Sequence, residues 1–252
     1  MENIVLITGA TSGIGEACAH AFAAKGWHVI ITGRRQYLLT QLQQLLIAKY
    51  NILCHVLCFD VQHKDAVFEG ITSLPVEWQN VTLLINNAGL ALGRDSFDTA
   101  TLNDWETMID TNVKGLLYVS RAVLPLFTSK NRGHIINIGS VAGKEVYDKG
   151  NVYCATKHAV DAISKAQRIE LLPYNIKVTC VHPGAVQTQF SNVRFKGDNI
   201  VADSVYQGYT PLQAIDIASV ILYAASLPPH VCINDMVVTC TAQGNATTIY
   251  KS

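Results

Sequence analysis

The 252-residue chain carries little charge, and none of it is gathered: 19 lysines and arginines face 19 aspartates and glutamates, 15% of residues in all, without a block of one sign. That lack removes the electrostatic footprint by which a protein grips nucleic acid or an anionic membrane surface, so a small-molecule partner is expected. Also missing is any apolar run of the roughly 20 residues needed to cross a bilayer. The opening MENIVLITGA has Glu2 and passes straight into a glycine-rich stretch, without the basic start, apolar core or cleavage pattern of a secretory signal; a cytoplasmic location is expected. The seven cysteines, at 18, 54, 58, 154, 180, 232 and 240, are odd in number and scattered, which suits reduced core thiols rather than a disulfide framework. Cys54, His55, Cys58 and His63 match no paired zinc-ligand spacing, and the segment NILCHVLCFDV around the first three reads as a buried strand, so no metal is expected. No repeat, low-complexity tract or linker divides the sequence.

What is present is 49% hydrophobic residues in a length that suits one large α/β domain over 1–252. Apolar runs bounded by turn residues, near 3–8, 27–32, 52–59, 81–86, 133–139, 175–181 and 234–239, alternate with segments of helical period near 13–25, 36–49, 63–73, 101–129, 151–172 and 211–226. That alternation predicts a parallel sheet covered by helices on both faces. Residues 183–210 break it with Pro183, Gly184, Gly197 and Gly208, and the reading there is a lid over the strand ends.

TGATSGIG, Thr8 to Gly15, follows the first strand and opens the first helix. In that context Gly9, Thr11, Ser12, Gly13, Ile14 and Gly15 form a candidate cradle for the pyrophosphate of a dinucleotide, because the turn is tight and the helix N-terminus attracts anions. The spacing departs from the commoner Gly-x-Gly-x-x-Gly, and such turns also serve purely structural junctions. About twenty residues on, where a carboxylate would read the ribose of NAD, the chain has Thr32-Gly33-Arg34-Arg35. Two guanidinium forks suit the 2′-phosphate of NADP, with one of the pair expected to face solvent. Asp60-Val61 and Asn87-Ala88-Gly89 fall at carboxyl ends of later strands, where open α/β sheets bind ligands.

In YCATK, Tyr153 and Lys157 stand four residues apart in a helical run, so the ammonium would lie beside the phenol and favour its ionised form. Taken alone, the pair equally describes a core tyrosine and a lysine reaching solvent. Together, TGATSGIG, NNAG (86–89), Asn112, Ser140, YCATK and HPGAVQT (182–188) resemble the short-chain dehydrogenase/reductase family in order and interval. The resemblance covers nearly the whole chain. It implies a Rossmann-type doubly wound sheet of about seven strands, a nicotinamide cofactor, and an active site of Asn112, Ser140, Tyr153 and Lys157. It also implies cofactor contacts from Pro183, Gly184, Val186 and Thr188, the last to the nicotinamide carboxamide, and a homotetramer built through the two long helices.

GLALG (89–93), DWETMIDTNVKGL (104–116), GNVYCATK (150–157) and FSNVRFKGD (190–198) further resemble the NADP-dependent 3-hydroxy acid dehydrogenases, which act on serine, allo-threonine and related acids. His182 departs from the glutamate common before the Pro-Gly pair in that subgroup, as does the loop AVQTQF after it.

On this reading Tyr153 takes the proton of a substrate hydroxyl, Ser140 hydrogen-bonds the same oxygen, and Lys157 lowers the proton affinity of the tyrosine and, by resemblance, binds ribose. Asn112 is expected to hold a water linking Lys157 to solvent. Arg194, between Phe190 and Phe195 in the lid, is the candidate partner for a substrate carboxylate, with lid bracing or a subunit contact as the other possibility. A reductase of neutral ketones or aldehydes and a non-catalytic NADP sensor are the alternatives on the same fold.

Overall fold

The computed structural model describes residues 3–251. Seven strands, β1 (Ile4–Ile7), β2 (His28–Gly33), β3 (Cys54–Cys58), β4 (Val81–Asn86), β5 (Gly133–Ile138), β6 (Ile176–Pro183) and β9 (Asp235–Val238), form one sheet in the order β3-β2-β1-β4-β5-β6-β9. Every neighbouring pair is parallel. The central strands are buried throughout, as in IVLI of β1 and GHIINI of β5, because both faces are covered.

Alternation along each strand sorts the core into two layers. Val5, Ile7, Val29, Ile31, Leu83 and Ile85 face α1 (Gly13–Ala23), α2 (Gln36–Tyr50) and α9 (Ala214–Ser226). Ile4, Leu6, Ile30, Leu84 and Ile135 face α3 (Lys64–Thr72) and α5 (Leu116–Thr128), where Val119, Val123 and Phe127 meet them. The strand order reverses between β1 and β4, and the crevice at such a switch point is where an open sheet receives its ligand.

Two sequence expectations need correction. The helix expected over 101–129 is broken: α4 (Leu102–Ile109) passes through a π-helical segment, Asp110–Gly115, before α5 begins. Such wide turns shift side chains off the helical rows and accompany functional sites. At its end Gly115 abuts Val61, where an added Cβ would lie 2.7 Å from the valine Cγ2.

The long segment after β6 is not bare loop either. It holds β7 (Val186–Gln187), α7 (Phe190–Arg194) and α8 (Asn199–Ser204), and β7 pairs with β8 (Leu212–Gln213). Its own tyrosine ties it: Tyr206 Oη donates to Val186 O at 2.9 Å and lies 2.7 Å from Ser191 Oγ. The helix expected at 151–172 is α6 (Asn151–Glu170). No described helix is long and apolar enough to cross a membrane, and all seven cysteines are free.

Candidate active site

A cleft of about 1070 Å³ opens over the carboxyl ends of the strands. All the residues expected at the site line it except Gly15 and Asn112, which lie behind its wall. The glycine turn shapes its floor. Gly9 and Gly13 have φ of +64° and +56°, a region open to glycine. A Cβ on Gly15 would collide with the Gly9 carbonyl and the Asn87 side-chain amide, so the helix can start against the strand only with glycine there.

Thr8, not singled out from sequence, holds the neighbouring strand end: its Oγ1 accepts from Asn87 N at 3.0 Å and Ala88 N at 2.9 Å. Asn87 Nδ2 returns a bond to Thr8 O at 2.9 Å. The two arginines diverge. Arg35 lies along the turn, donating from Nη2 to Thr11 Oγ1 at 2.7 Å and to Ser12 Oγ at 3.4 Å. Arg34 pairs with Asp60 Oδ2 at 3.3 Å with its side chain 61% exposed. Both guanidiniums border the cleft, and a glycine cradle beside two cationic forks fits the phosphates of a dinucleotide carrying a 2′-phosphate.

At the other end, Ser140 follows β5 in extended conformation, caps the short 3₁₀ turn Val141–Gly143 by accepting from Ala142 N at 3.1 Å, and shares a hydrogen bond with Tyr153. Tyr153 and Lys157 are one turn apart on α6 and both buried. Lys157 Nζ donates to Ile138 O at 2.9 Å, and burial lowers its pKa to about 8. Tyr153 is pushed well above the ordinary tyrosine range, chiefly by burial and next by Tyr147, while the Ser140 bond and the Arg194 charge oppose the rise.

A second cation, not placed there from sequence, also meets the phenol: Arg194 lies over the Tyr153 ring at 5.5 Å, while the Lys157 ammonium bonds the end of β5. Desolvation outweighs the Arg194 charge and the Ser140 bond, so Tyr153 rests as the neutral acid.

Asn112, in the π-helical segment, spends its amide on the protein. Nδ2 donates to Leu90 O at 2.8 Å and Thr156 Oγ1 at 3.1 Å, while Oδ1 accepts from Leu90 N at 2.8 Å. Its side chain therefore joins the β4 loop to α6, the role of satisfying backbone groups. Thr188 also fills a turn role, accepting from Phe190 N at 3.2 Å, yet it borders the cleft with its side chain over Gly13.

Arg194 is partly engaged. Nε donates to Gly93 O at 3.3 Å, Nη1 to Tyr147 Oη at 3.2 Å, and Gly93 N returns a bond to Arg194 O at 2.8 Å. Tyr147 and Gln243 are among the wall residues that sequence reasoning missed. Tyr147 sits alone in a loop without periodicity, and Gln243, whose Oε1 accepts from Ala185 N at 2.8 Å, comes from beyond the last strand.

Comparison with known proteins agrees with this geometry. The family model described as short chain dehydrogenase matches residues 3–199. The chain is 47% identical over 234 residues to the NADP-dependent 3-hydroxy acid dehydrogenase YdfG of Escherichia coli (strain K12), covering 92% of this chain and 93% of that one. It is 44% identical over 244 residues to sulfoacetaldehyde reductase 2 of Chromohalobacter salexigens, covering 96% of each. A structure of serine dehydrogenase complexed with NADP+, in its closed form, superposes with a TM-score of 0.92 at 45% identity over 99% of both chains. With the glycine turn, the Ser140, Tyr153 and Lys157 constellation and this match over most of its length, the chain belongs to the short chain dehydrogenase family.

Proposed function

We propose that the chain is an NADP-dependent oxidoreductase that interconverts small 3-hydroxy acids, of the serine, allo-threonine or 3-hydroxypropionate type, with their 3-oxo acids or semialdehydes. The observation that carries this reading is the arrangement of one cleft, with a twin-arginine glycine cradle at one end and the Ser140–Tyr153 hydroxyl pair beneath an arginine at the other. The 3-hydroxy acid dehydrogenase and the sulfoacetaldehyde reductase to which the chain is similar are named for substrates that carry a carboxylate or a sulfonate, which accords with a cationic side chain there.

When bound, the nicotinamide group supplies hydride transfer. The chain supplies the proton. Held neutral by burial, Tyr153 gives its proton to the nascent alkoxide in reduction, and in oxidation it must first lose that proton, which Arg194 and the Ser140 bond favour. Ser140 Oγ hydrogen-bonds the reacting oxygen and sets its direction. Lys157 keeps its charge at neutral pH and is fixed to Ile138 O, where it contributes a cation to the cleft. Asn112 is a positioning residue that holds Leu90 against α6.

The segment 183–210 acts as a lid on this domain, which spans 1–252. Its hold on the body runs through Arg194 to Gly93 and Lys196 to Asp104, the latter at 2.8 Å. The assembly we propose is a homotetramer through α4–α5 and α6, supported by Leu102, Leu117, Ile169 and Leu172, all exposed on or just after those helices. A reducing cytoplasm accords with seven free thiols.

Arg194 is the proposed carboxylate partner, and Arg194→Met tests it. A charge-assisted hydrogen bond contributes about 1.5–3 kcal/mol, so kcat/KM for L-serine or 3-hydroxypropionate is expected to fall about ten- to hundredfold, with a much smaller loss for a neutral alcohol of similar shape and with NADP binding kept. The bonds of Arg194 to Gly93 and Tyr147 favour a second reading, in which the guanidinium braces the lid and the enzyme reduces neutral carbonyls. Equal losses for acid and neutral substrate would select it.

A further inference from the structure

Behind Ser140, on the side away from the cleft, lies a wholly buried histidine. β5 and β6 pair in register as far as Ile138 and Val181, and Gly139 N donates to Val181 O at 2.7 Å. One residue further the ladder ends. There a side chain takes over: His182 Nδ1 lies 3.2 Å from Ser140 O.

The other ring nitrogen, Nε2, makes no hydrogen bond, although Asp235 Oδ1 stands 3.2 Å and Asp161 Oδ1 3.6 Å away. Those two carboxylates are taken up by Lys144 Nζ, at 2.6 Å from Asp235 Oδ2 and 3.0 Å from Asp161 Oδ1. A carbonyl only accepts, so the contact with Ser140 O requires a proton on Nδ1, whatever state Nε2 takes against the two carboxylates. Gly139 makes room for this, since a Cβ there would lie 2.5 Å from Nδ1.

We propose that His182 is a positioning residue for the reaction, fixing through its Nδ1–H the carbonyl of Ser140 and hence the direction of the Ser140 hydroxyl toward Tyr153. The proposal rests on the reading that Ser140 and Tyr153 hold the reacting oxygen. Ser140 stands past the end of the ladder, where its carbonyl accepts from Gly143 N at 2.8 Å on one side and meets His182 on the other, and its Oγ must serve both Ala142 N and Tyr153. Rotation about its backbone would carry the hydroxyl off the reacting oxygen, and small misplacements of catalytic groups cost up to about a hundredfold in rate.

Two substitutions separate the ring nitrogens. In His182→Asn the amide nitrogen takes the place of Nδ1 and keeps the donor to Ser140 O, while in His182→Gln it takes the place of Nε2 and abandons that carbonyl for Asp235. The measurements are kcat and KM for the hydroxy acid and NADP affinity by titration, with Ser140→Ala alongside. His182→Gln is expected to lose about tenfold to a hundredfold in kcat with KM and NADP affinity near wild type, and His182→Asn to recover most of that loss. An undiminished kcat in His182→Gln, or an equal loss in both variants with NADP binding intact, overturns the proposal. Should His182→Gln fail to bind NADP for want of folding, His182→Asn decides alone: retained kcat supports the donor role and a collapse refutes it. A Ser140→Ala variant with normal kcat would show instead that the reading of the site itself had failed.

Discussion

Tyr153→Phe is expected to lower kcat by about 10²–10⁴-fold, the span of a general acid-base group, while NADP titrates as in the wild type. The two halves of this result have separate causes. The phenol oxygen is the one atom of Tyr153 that can carry the proton, and the hydroxyl it meets belongs to Ser140. The ring, by contrast, is packing. It lies in a small core with Leu90, Met108 and Cys154 and meets Phe190 at 5.7 Å between centroids, contacts that phenylalanine retains. A kcat near wild type in a preparation of verified purity would remove Tyr153 from the chemistry.

The second large effect is on cofactor choice. Replacing Arg34 and Arg35 together by alanine is expected to weaken NADP about a hundredfold and NAD by a factor near one, because only the former carries a 2′-phosphate. The pair together is credited with about 2.8 kcal/mol, a hundredfold, less than two charge-assisted bonds usually give, because exposed cations are screened by water. The single variants should differ. Arg35 is already ordered against Thr11 and Ser12, so it brings a preset fork, whereas Arg34 must leave or share Asp60. Removal of Arg35 should therefore carry the greater part of the loss. Equal weakening of NADP and NAD in fluorescence titrations would show that the pair supports the turn and does not read phosphate.

Much of this was legible in the chain because local physics and global fold ask for the same residues. Seven apolar runs became seven parallel strands, since a strand covered on both faces is mostly apolar, as β1 is throughout and β5 is but for His134 and Asn137. The glycine turn was legible because Gly9, Gly13 and Gly15 each meet a constraint that other residues fail, in conformation or in room for a Cβ.

What escaped sequence reading depends on contacts between distant segments. Helical spacing brings Lys157 to within one turn of Tyr153, yet it says nothing of Ile138 O, which captured the ammonium, nor of Arg194 folding back over the phenol. The π-helical break has no signature in apolar periodicity, because Asn112 earns its place by bonding Leu90 and Thr156, far from it in sequence. Tyr147 and Gln243 reached the wall of the cleft through loops whose course is set by the rest of the fold. Burial, finally, reversed the expected direction for Tyr153, since a charge beside a phenol is read from spacing but its removal from water is not.

The central claim is that this cleft oxidises and reforms small hydroxy acids with NADP. Its most direct test is a comparison of initial rates for the purified protein with NADP+ and, separately, L-serine, 3-hydroxypropionate and a neutral alcohol of matching size, run again in reverse with NADPH and the corresponding carbonyl compounds. The account predicts turnover of the acids with kcat/KM at least about tenfold above that of the neutral alcohol, the contribution of one charge-assisted contact, and little activity with NAD+. Turnover of the neutral compounds at equal or greater kcat/KM, with the acids left untouched, would contradict it.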